Sequence, residues 1–200
     1  LAPALLGLAY YQRREEAFEV LLGEDPTPPS EAMERGTRME PKAVEAFAAA
    51  YPEWRIQTTG LWVHPKLPWL AASPDRLIDK PGERALLEVK VPARLGKVRD
   101  AWLVQMTIQM MCTERETCYL WQYAPEGTQL NQFRLDCDLA KILRLYLAPV
   151  AAEAQAGASN PEEAFVPDFG PMERMEVKQA VKDSRARKYL SDKYLSDMGP

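Results

Sequence analysis

The chain has 200 residues, of which 46% are apolar and 27% are charged, and its formal net charge at neutral pH is −4. This length and apolar content are enough to bury one hydrophobic core. A net negative charge does not predict the broad basic surface that is usual in nucleic-acid-binding proteins. A local basic segment would still be enough for phosphate contacts.

Histidine and cysteine content exclude several kinds of site. With His64 as the single histidine, a Ser-His or Cys-His nucleophile has little support, and we expect a structural or exposed role for it. The cysteines Cys112, Cys118 and Cys137 are odd in number and lack Cys-x-x-Cys spacing, which argues against a disulfide framework or a zinc ribbon. Reduced thiols in a cytoplasm fit this cysteine content best. No apolar run is long enough for a membrane span, so we expect no membrane partner.

The first strong helical pattern begins at Ser30, a plausible N-cap, and places Phe47 on its apolar face. Glu40 lies on this helix directly before Pro41. Proline predicts that the helix either kinks here or restarts with proline in its first turn. Glu40 is therefore either an ordinary surface glutamate or a site residue placed at an irregularity.

Three extended segments follow. Residues 67–72 form an apolar run that predicts a buried strand ending at Ser73-Pro74-Asp75, and residues 76–79 continue as a second strand. The Pro81-Gly82 pair is a strong turn signal, after which residues 85–91 resume as a strand. The pattern predicts a β-hairpin.

The hairpin carries the candidate catalytic residues. Side chains alternate along a strand, so Glu88 and Lys90 share one face while Leu87 and Val89 pack on the other. Asp75 begins the paired strand and is expected to approach the same face as Glu88. Two carboxylates beside an ammonium suit cleavage of a phosphodiester with Mg²⁺, for which Mn²⁺ can substitute, because these ions prefer oxygen ligands. The alternative is a solvated strand face.

A strongly apolar helix over residues 101–111 carries Gln105 and Gln109 one turn apart. Amides in so apolar a helix need partners, either in a buried amide network or through a metal-bound water or DNA. Just before this helix, a basic run near Lys90 could contact DNA phosphates or form a solvated loop; its further members are Arg94, Lys97 and Arg99.

The last quarter of the chain has a different character. Residues 157–171 indicate an irregular connection, and residues 172–196 are charged and helical in pattern. The sequence Lys-Tyr-Leu-Ser-Asp occurs at 188–192 and again at 193–197, and its five-residue period keeps no single helical face. We therefore expect one domain over residues 1–156 and a helical extension over 157–200.

Four segments, taken in order, resemble the motif blocks of the PD-(D/E)xK nucleases, specifically the bacteriophage lambda exonuclease and YqaJ-type viral recombinase group. They are Gly36-x-x-x-Glu40-Pro41, Ser73-Pro74-Asp75, Glu88-Val89-Lys90, and Ala101 through Gln105. The likeness spans about residues 5 to 156, with a turn at Leu5-Leu6-Gly7, a helix with Tyr11 and Phe18, a strand at 118–123 and a helix after Asp136. It implies an α/β fold with a mixed central sheet flanked by helices and a restriction-endonuclease-like core.

The resemblance also implies roles for individual residues. Asp75 and Glu88 would bind metal, most simply two Mg²⁺ ions, with Val89 lending a backbone carbonyl. Lys90 would assist the attacking water, and Glu40 and Gln105 would line the same centre. The implied activity is a DNA exonuclease acting 5′-to-3′ on double-stranded ends in recombination of the phage or viral type.

The implied partners are double-stranded DNA ends, a single-strand annealing protein and two further copies in a homotrimer. The implied location is the cytoplasm of a bacterium or infected cell, or the host nucleus for a eukaryotic virus. The family carries an arginine and a serine that hold the 5′ phosphate upstream of the Leu-Gly turn, and a chain beginning at Leu1 is expected to lack that segment. The alternatives are an endonuclease of the same superfamily and a non-catalytic DNA-binding or recombination-partner module.

Overall fold

A computed structural model describes residues 1–9, 12–23, 28–157, 167 and 173–185. The chain forms two compact units. The first contains Leu1–Thr27, Arg99–Thr107 and Asp136–Pro200, and the second contains Pro28–Val98 and Ile108–Leu135. The predicted helix position Tyr11, most of the predicted connection and the pentapeptide repeat lie outside the described residues.

The second unit is built on a mixed five-stranded sheet of order β1-β4-β5-β6-β7, beside a separate two-stranded sheet of β2 and β3. The strands are β1 (Arg55–Thr58), β2 (Trp62–His64), β3 (Leu67–Ala72), β4 (Arg76–Lys80), β5 (Glu83–Lys90), β6 (Thr117–Ala124) and β7 (Gly127–Arg134). Strands β5 and β6 are parallel and the other neighbours are antiparallel. The predicted mixed α/β fold is confirmed.

Helices occupy both units. They are α1 (Ala2–Leu5), α2 (Arg14–Leu21), α3 (Glu31–Ala50), α4 (Asp100–Thr113), α5 (Cys137–Gly157) and a sixth helix, α6, over residues 173–185. In chain order, helix α4 follows β5 and precedes β6, and it forms the long connection that two parallel strands need. Among the described residues, no helix combines the length and the apolar character needed to cross a membrane.

The predicted hairpin is confirmed as β4 and β5. Gly82 sits in the turn with φ of +82°, a conformation that glycine adopts without steric cost. Behind the hairpin, the buried guanidinium of Arg115 donates to the carbonyl oxygens of Ile78 (3.2 Å) and Ala85 (2.7 Å) and to the carboxylate of Asp79 (2.8 Å). One side chain therefore ties both hairpin strands together.

Helix α3 packs on β5 and β6 and covers an apolar cluster. Phe47 and Ala43 of the helix are fully buried there with Leu87 and Trp121 of the strands. The Trp121 indole also donates to the carbonyl oxygen of Ala43 over 2.8 Å. This packing fixes the helix backbone along the sheet, including the backbone at Glu40.

Of the two alternatives predicted at Pro41, a kink or a restart of the helix, the restart is wrong. Ser30 is the N-cap, accepting from the Met33 backbone N–H at 3.4 Å, and the helix then runs from Glu31 to Ala50 with Pro41 inside it. Tertiary packing accounts for the difference, because Ala43 and Phe47 bury their side chains just beyond the proline and stabilise the turns on which they lie.

The first unit holds the helices of both chain ends. Arg14 of α2 donates from Nε to the Leu5 carbonyl (2.7 Å) and from Nη2 to the Pro167 carbonyl (2.6 Å). Asp136 caps α5 by accepting from the backbone N–H groups of Asp138 and Leu139 at 3.0 and 3.1 Å. The helix predicted after Asp136 is therefore present, and it ends at Gly157.

The cysteines lie in contrasting surroundings. Cys112 and Cys118 are buried, whereas Cys137 is exposed at the start of α5. Burial raises the pKa of the Cys112 thiol to about 11 and raises the pKa of Cys118 as well. His64 ends β2, where its Nδ1 accepts from the Lys66 backbone N–H at 3.1 Å, a local structural contact of the predicted kind.

Candidate active site

Asp75 lies where β4 begins, opposite the end of β5. Its Oδ2 accepts a hydrogen bond of 2.7 Å from the backbone N–H of Val89. The β4 ladder supplies no partner for this N–H, because it begins at Arg76, whose cross-strand partner is Leu87. A buried backbone N–H needs an acceptor, and the Asp75 carboxylate provides one. This bond fixes Asp75 beside β5.

Glu88 is fully buried, and polar groups contact both of its carboxylate oxygens. Gln109 of α4 donates from Nε2 to Oε2 over 2.7 Å, and the Lys90 ammonium lies 2.5 Å from Oε1. On the opposite face of the strand, Leu87 and Val89 belong to the apolar cluster beneath α3. The alternation predicted from the sequence is therefore observed.

The electrostatics of the site follow from burial and from like charge. Burial raises the pKa of Asp75, the negative charge of Glu88 raises it further, and the result is about 7. The Lys90 ammonium and the Val89 N–H oppose this shift, while Glu40 adds a small increase. The half-buried Asp75 and the fully buried Glu88 thus share one ammonium, an arrangement that leaves negative charge uncompensated.

Glu40 lies on α3, and its side chain is paired with an arginine. Its Oε1 lies 2.9 Å from Nη1 of Arg76, and the same nitrogen donates to the Asp75 carbonyl oxygen over 2.5 Å. Glu40 is therefore close enough to act on the pKa of Asp75, but its direct partner is Arg76. Sequence reasoning missed Arg76. The available signal was its position, since Arg76 and the fully buried Ile78 lie on the same face of β4 and an inward-facing arginine needs an anionic partner.

The donor set fits a hard divalent cation. Oε1 of Glu88 is buried and accepts no hydrogen bond, although the Lys90 ammonium lies beside it, and Asp75 supplies a second carboxylate nearby. Across residues 1–9, 12–23, 28–157, 167 and 173–185, no three Asp, Glu, His or Cys side chains are grouped closely enough to hold a metal. Mg²⁺ commonly takes only one or two protein carboxylates and completes its shell with water and phosphate oxygens.

The glutamines and the basic residues have distinct surroundings. Gln109 is buried and also donates to the Ser73 carbonyl over 3.4 Å, which corresponds to the amide-network alternative and does not favour its predicted DNA contact. Gln105 lies one turn earlier on α4, in the part of the helix that belongs to the first unit. Its role at the centre stays a prediction.

The segment between β5 and α4 carries the predicted basic residues, and Arg94, Lys97 and Arg99 are all exposed. Two hydrogen bonds hold the segment in place. The Leu95 N–H donates to Glu126 over 2.6 Å, and Gln122 donates to the Gly96 carbonyl over 3.1 Å. Arg94 and Lys97 are thus presented on an anchored segment that leaves the strand directly after Lys90.

The sequence profile of the YqaJ-like viral recombinase domain matches residues 8–116, more than half of the chain. The chain belongs to this family. The matched range contains the four segments in which the resemblance was found, so that interpretation is confirmed. No curated protein matches the chain in sequence.

Solved structures share the fold of this YqaJ-like chain. An alkaline exonuclease of Laribacter hongkongensis, LHK-Exo, is similar with a TM-score of 0.67 and 22% sequence identity, over 80% of this chain and 89% of that one. The same protein in complex with dAMP is similar with a TM-score of 0.67 and 23% identity, over 80% and 90% of the two chains. The similarity extends over most of both chains and supports the α/β assignment.

Proposed function

We propose that this YqaJ-like protein is a metal-dependent DNA exonuclease of recombination. The observation that carries the proposal is the partly buried cluster at the end of β5, where Asp75, Glu88 and Lys90 meet. Such charges destabilise a fold unless they are paired or bind an ion, and a nuclease centre uses this arrangement directly. Family membership and the fold shared with an alkaline exonuclease support the same reaction class.

Each residue of the cluster has a distinct task in this proposal. Asp75 and Glu88 hold divalent cations, with the Val89 carbonyl and Glu40 as further oxygen ligands. When bound, such ions activate water and stabilise charge on the phosphate. Lys90 orients the attacking water and offsets negative charge that develops on the scissile group. Gln109 holds the Glu88 carboxylate in place by its 2.7 Å hydrogen bond. The family resemblance assigns Gln105 to the same centre.

The finer features of the activity are also part of the proposal. We infer Mg²⁺ as the ion, with Mn²⁺ as a substitute and two ions at the centre, and 5′-to-3′ digestion from double-stranded ends. The likeness to LHK-Exo, whose complex with dAMP is known, supports a substrate of DNA. Phosphate contacts come from three exposed residues that follow Lys90 in the sequence, Arg94, Lys97 and Arg99.

Assembly is a separate proposal. We infer a homotrimer that works with a single-strand annealing protein, with the nuclease domain over residues 1–156 and an extension over 157–200. Light scattering on the purified protein measures the mass directly. A particle of three times the 22.6 kDa chain mass is expected, and a stable monomer at micromolar concentration contradicts the trimer.

The activity is tested on linear duplex DNA with 5′ phosphates, labelled at either end of one strand, beside a covalently closed circle of the same sequence. Incubation with Mg²⁺ is expected to release nucleotides from the 5′ ends and to leave the circle intact, and EDTA is expected to abolish release. Cleavage of the circle establishes an endonuclease instead. Binding without any cleavage establishes a non-catalytic module.

A further inference from the structure

The β4–β5 hairpin places one ion pair on each of its faces. Arg76 is the cross-strand partner of Leu87, and directly opposed residues in antiparallel strands project to the same side. Arg76 therefore lies on the face that α3 covers, whereas Glu88 lies on the face where Gln109 contacts it. The pair of Lys90 with Glu88 belongs to the second face, and the pair of Arg76 with Glu40 belongs to the first.

A single nitrogen of Arg76 contacts two other residues of the site. Nη1 lies 2.9 Å from the Glu40 carboxylate and donates over 2.5 Å to the backbone carbonyl of Asp75. The side chains of Arg76 and Glu40 are 19% and 33% exposed, so the pair is partly desolvated. The orientation of Glu40 is thus tied to the backbone that carries Asp75.

The two faces differ in their balance of charge. Asp75 and Glu88 share the ammonium of Lys90, and their mutual repulsion helps to raise the pKa of Asp75. Glu40, in contrast, has a guanidinium of its own, and its effect on Asp75 is the smallest of the causes of that shift. A divalent cation that enters beside Asp75 meets a third carboxylate within electrostatic reach, but that carboxylate is already paired.

We propose that Arg76 sets the metal affinity of this centre by competing with the divalent cation for Glu40. The inference rests on the proposed function, because it assigns Glu40 to the metal centre. Arg76 is a positioning residue: it holds Glu40 close to the Asp75–Glu88 pair and keeps that carboxylate compensated until a cation takes its place. Removing the guanidinium leaves the metal as the strongest partner available to Glu40.

The test is calorimetric titration with Mn²⁺ in the absence of DNA, on the wild type, Arg76→Gln, Glu40→Gln and the double variant. We expect Arg76→Gln to bind Mn²⁺ about three- to fivefold more tightly, the range of a partly exposed ion pair. The increase is expected to vanish in the Glu40→Gln background, because the competition needs both partners. Arg76→Lys keeps a competing cation and is expected to return the affinity to near the wild-type value.

Arg84→Gln is the matched control, since it removes one positive charge from the same hairpin. The Arg84 side chain is 79% exposed, and its ion pair with Asp79 is long, at 3.9 Å. Its Mn²⁺ affinity is expected to match the wild type. Weaker or unchanged binding in Arg76→Gln overturns the proposal, as does a gain that persists without Glu40. A wild type that binds Mn²⁺ yet digests no DNA refutes the proposed function and leaves this inference intact, while a wild type that binds no Mn²⁺ overturns both.

Discussion

The two faces of strand β5 are buried to a similar depth and have opposite chemistry. Val89 is 7% exposed and Glu88 is 0% exposed, yet the first packs with Phe47 and Trp121 while the second contacts Gln109 and Lys90. Burial of the apolar face stabilises the fold, whereas burial of a carboxylate opposes folding unless it is compensated. One strand therefore carries a stabilising apolar face on one side and the proposed catalytic residues on the other.

Among variants that test this difference between the two faces, Lys90→Gln is expected to have the largest effect. It removes the ammonium that the proposed mechanism places at the reacting phosphate and keeps a polar side chain beside Glu88. Turnover of linear duplex with saturating Mg²⁺ is expected to fall about 1000-fold, the scale for loss of one transition-state contact. Circular dichroism is expected to show an unchanged fold.

Lys66→Ala is the control for that experiment, because it removes an exposed lysine from the same unit. Its turnover is expected to equal the wild-type rate. Full cleavage by Lys90→Gln at saturating metal would refute the role assigned to Lys90.

On the apolar face, Leu87→Ala is expected to lower the free energy of unfolding by about 2–5 kcal/mol, because it leaves a cavity in a fully buried cluster. Urea denaturation measures the loss. Leu145→Ala, at a side chain that is 61% exposed, is expected to change stability by less than about 0.5 kcal/mol. Equal losses at both positions would contradict the assignment of Leu87 to the core.

A smaller effect is expected from Asp75→Asn, and it depends on pH. Because folding raises the pKa of Asp75 from 3.8 to about 7, the folded state holds this proton more tightly than the unfolded state does. Stability from this group is present below pH 3.8 and is lost as the pH rises through about 7. Without metal, the wild-type melting temperature should fall between pH 5 and pH 8 more than that of Asp75→Asn.

The measurement is thermal unfolding in EDTA across that pH range, repeated with Mg²⁺. Asparagine can still accept the Val89 hydrogen bond, so the comparison isolates the charge. Added Mg²⁺ should stabilise the wild type at pH 8 more than the variant, because a bound ion favours the ionised carboxylate. If the melting temperatures of the two proteins in EDTA change equally with pH, folding does not raise the pKa of Asp75.

The smallest effects are expected at the exposed segment beyond β5. The slope of log affinity against log salt is negative. Arg94→Ala and Lys97→Ala should each make it shallower by about one, since each removes one proposed phosphate contact. Fluorescence anisotropy with duplex DNA in EDTA measures the slope. Lys141→Ala, at a side chain 74% exposed on α5, should leave it unchanged. An unchanged slope in the first two variants would favour a solvated loop.

Local patterns were sufficient to predict much of this arrangement. The Pro81-Gly82 turn and the alternation of residues 85–91 predict the hairpin and assign Glu88 and Leu87 to opposite faces, because strand geometry has a fixed period of two. The buried amide of Gln109 was one of two predicted alternatives, since an amide in an apolar helix needs a hydrogen-bond partner.

Contacts between distant segments were not predictable in this way. The pair of Arg76 with Glu40 joins residues far apart in sequence and depends on how α3 packs on the sheet. The same packing carries the helix through Pro41, against its local preference. The hydrogen bond from Val89 to Asp75 required knowing where the β4 ladder ends, and strand ends are the least certain part of a sequence-based assignment.

The contrast among the three thiols gives this protein a single natural attachment point. A maleimide reacts with thiolate, and burial disfavours that form at Cys112 and Cys118, so at neutral pH the dye should enter at exposed Cys137. The unmodified chain can thus be labelled at the start of α5 without engineering. Fluorescence microscopy on a single tethered DNA molecule would then show whether the labelled protein moves along it.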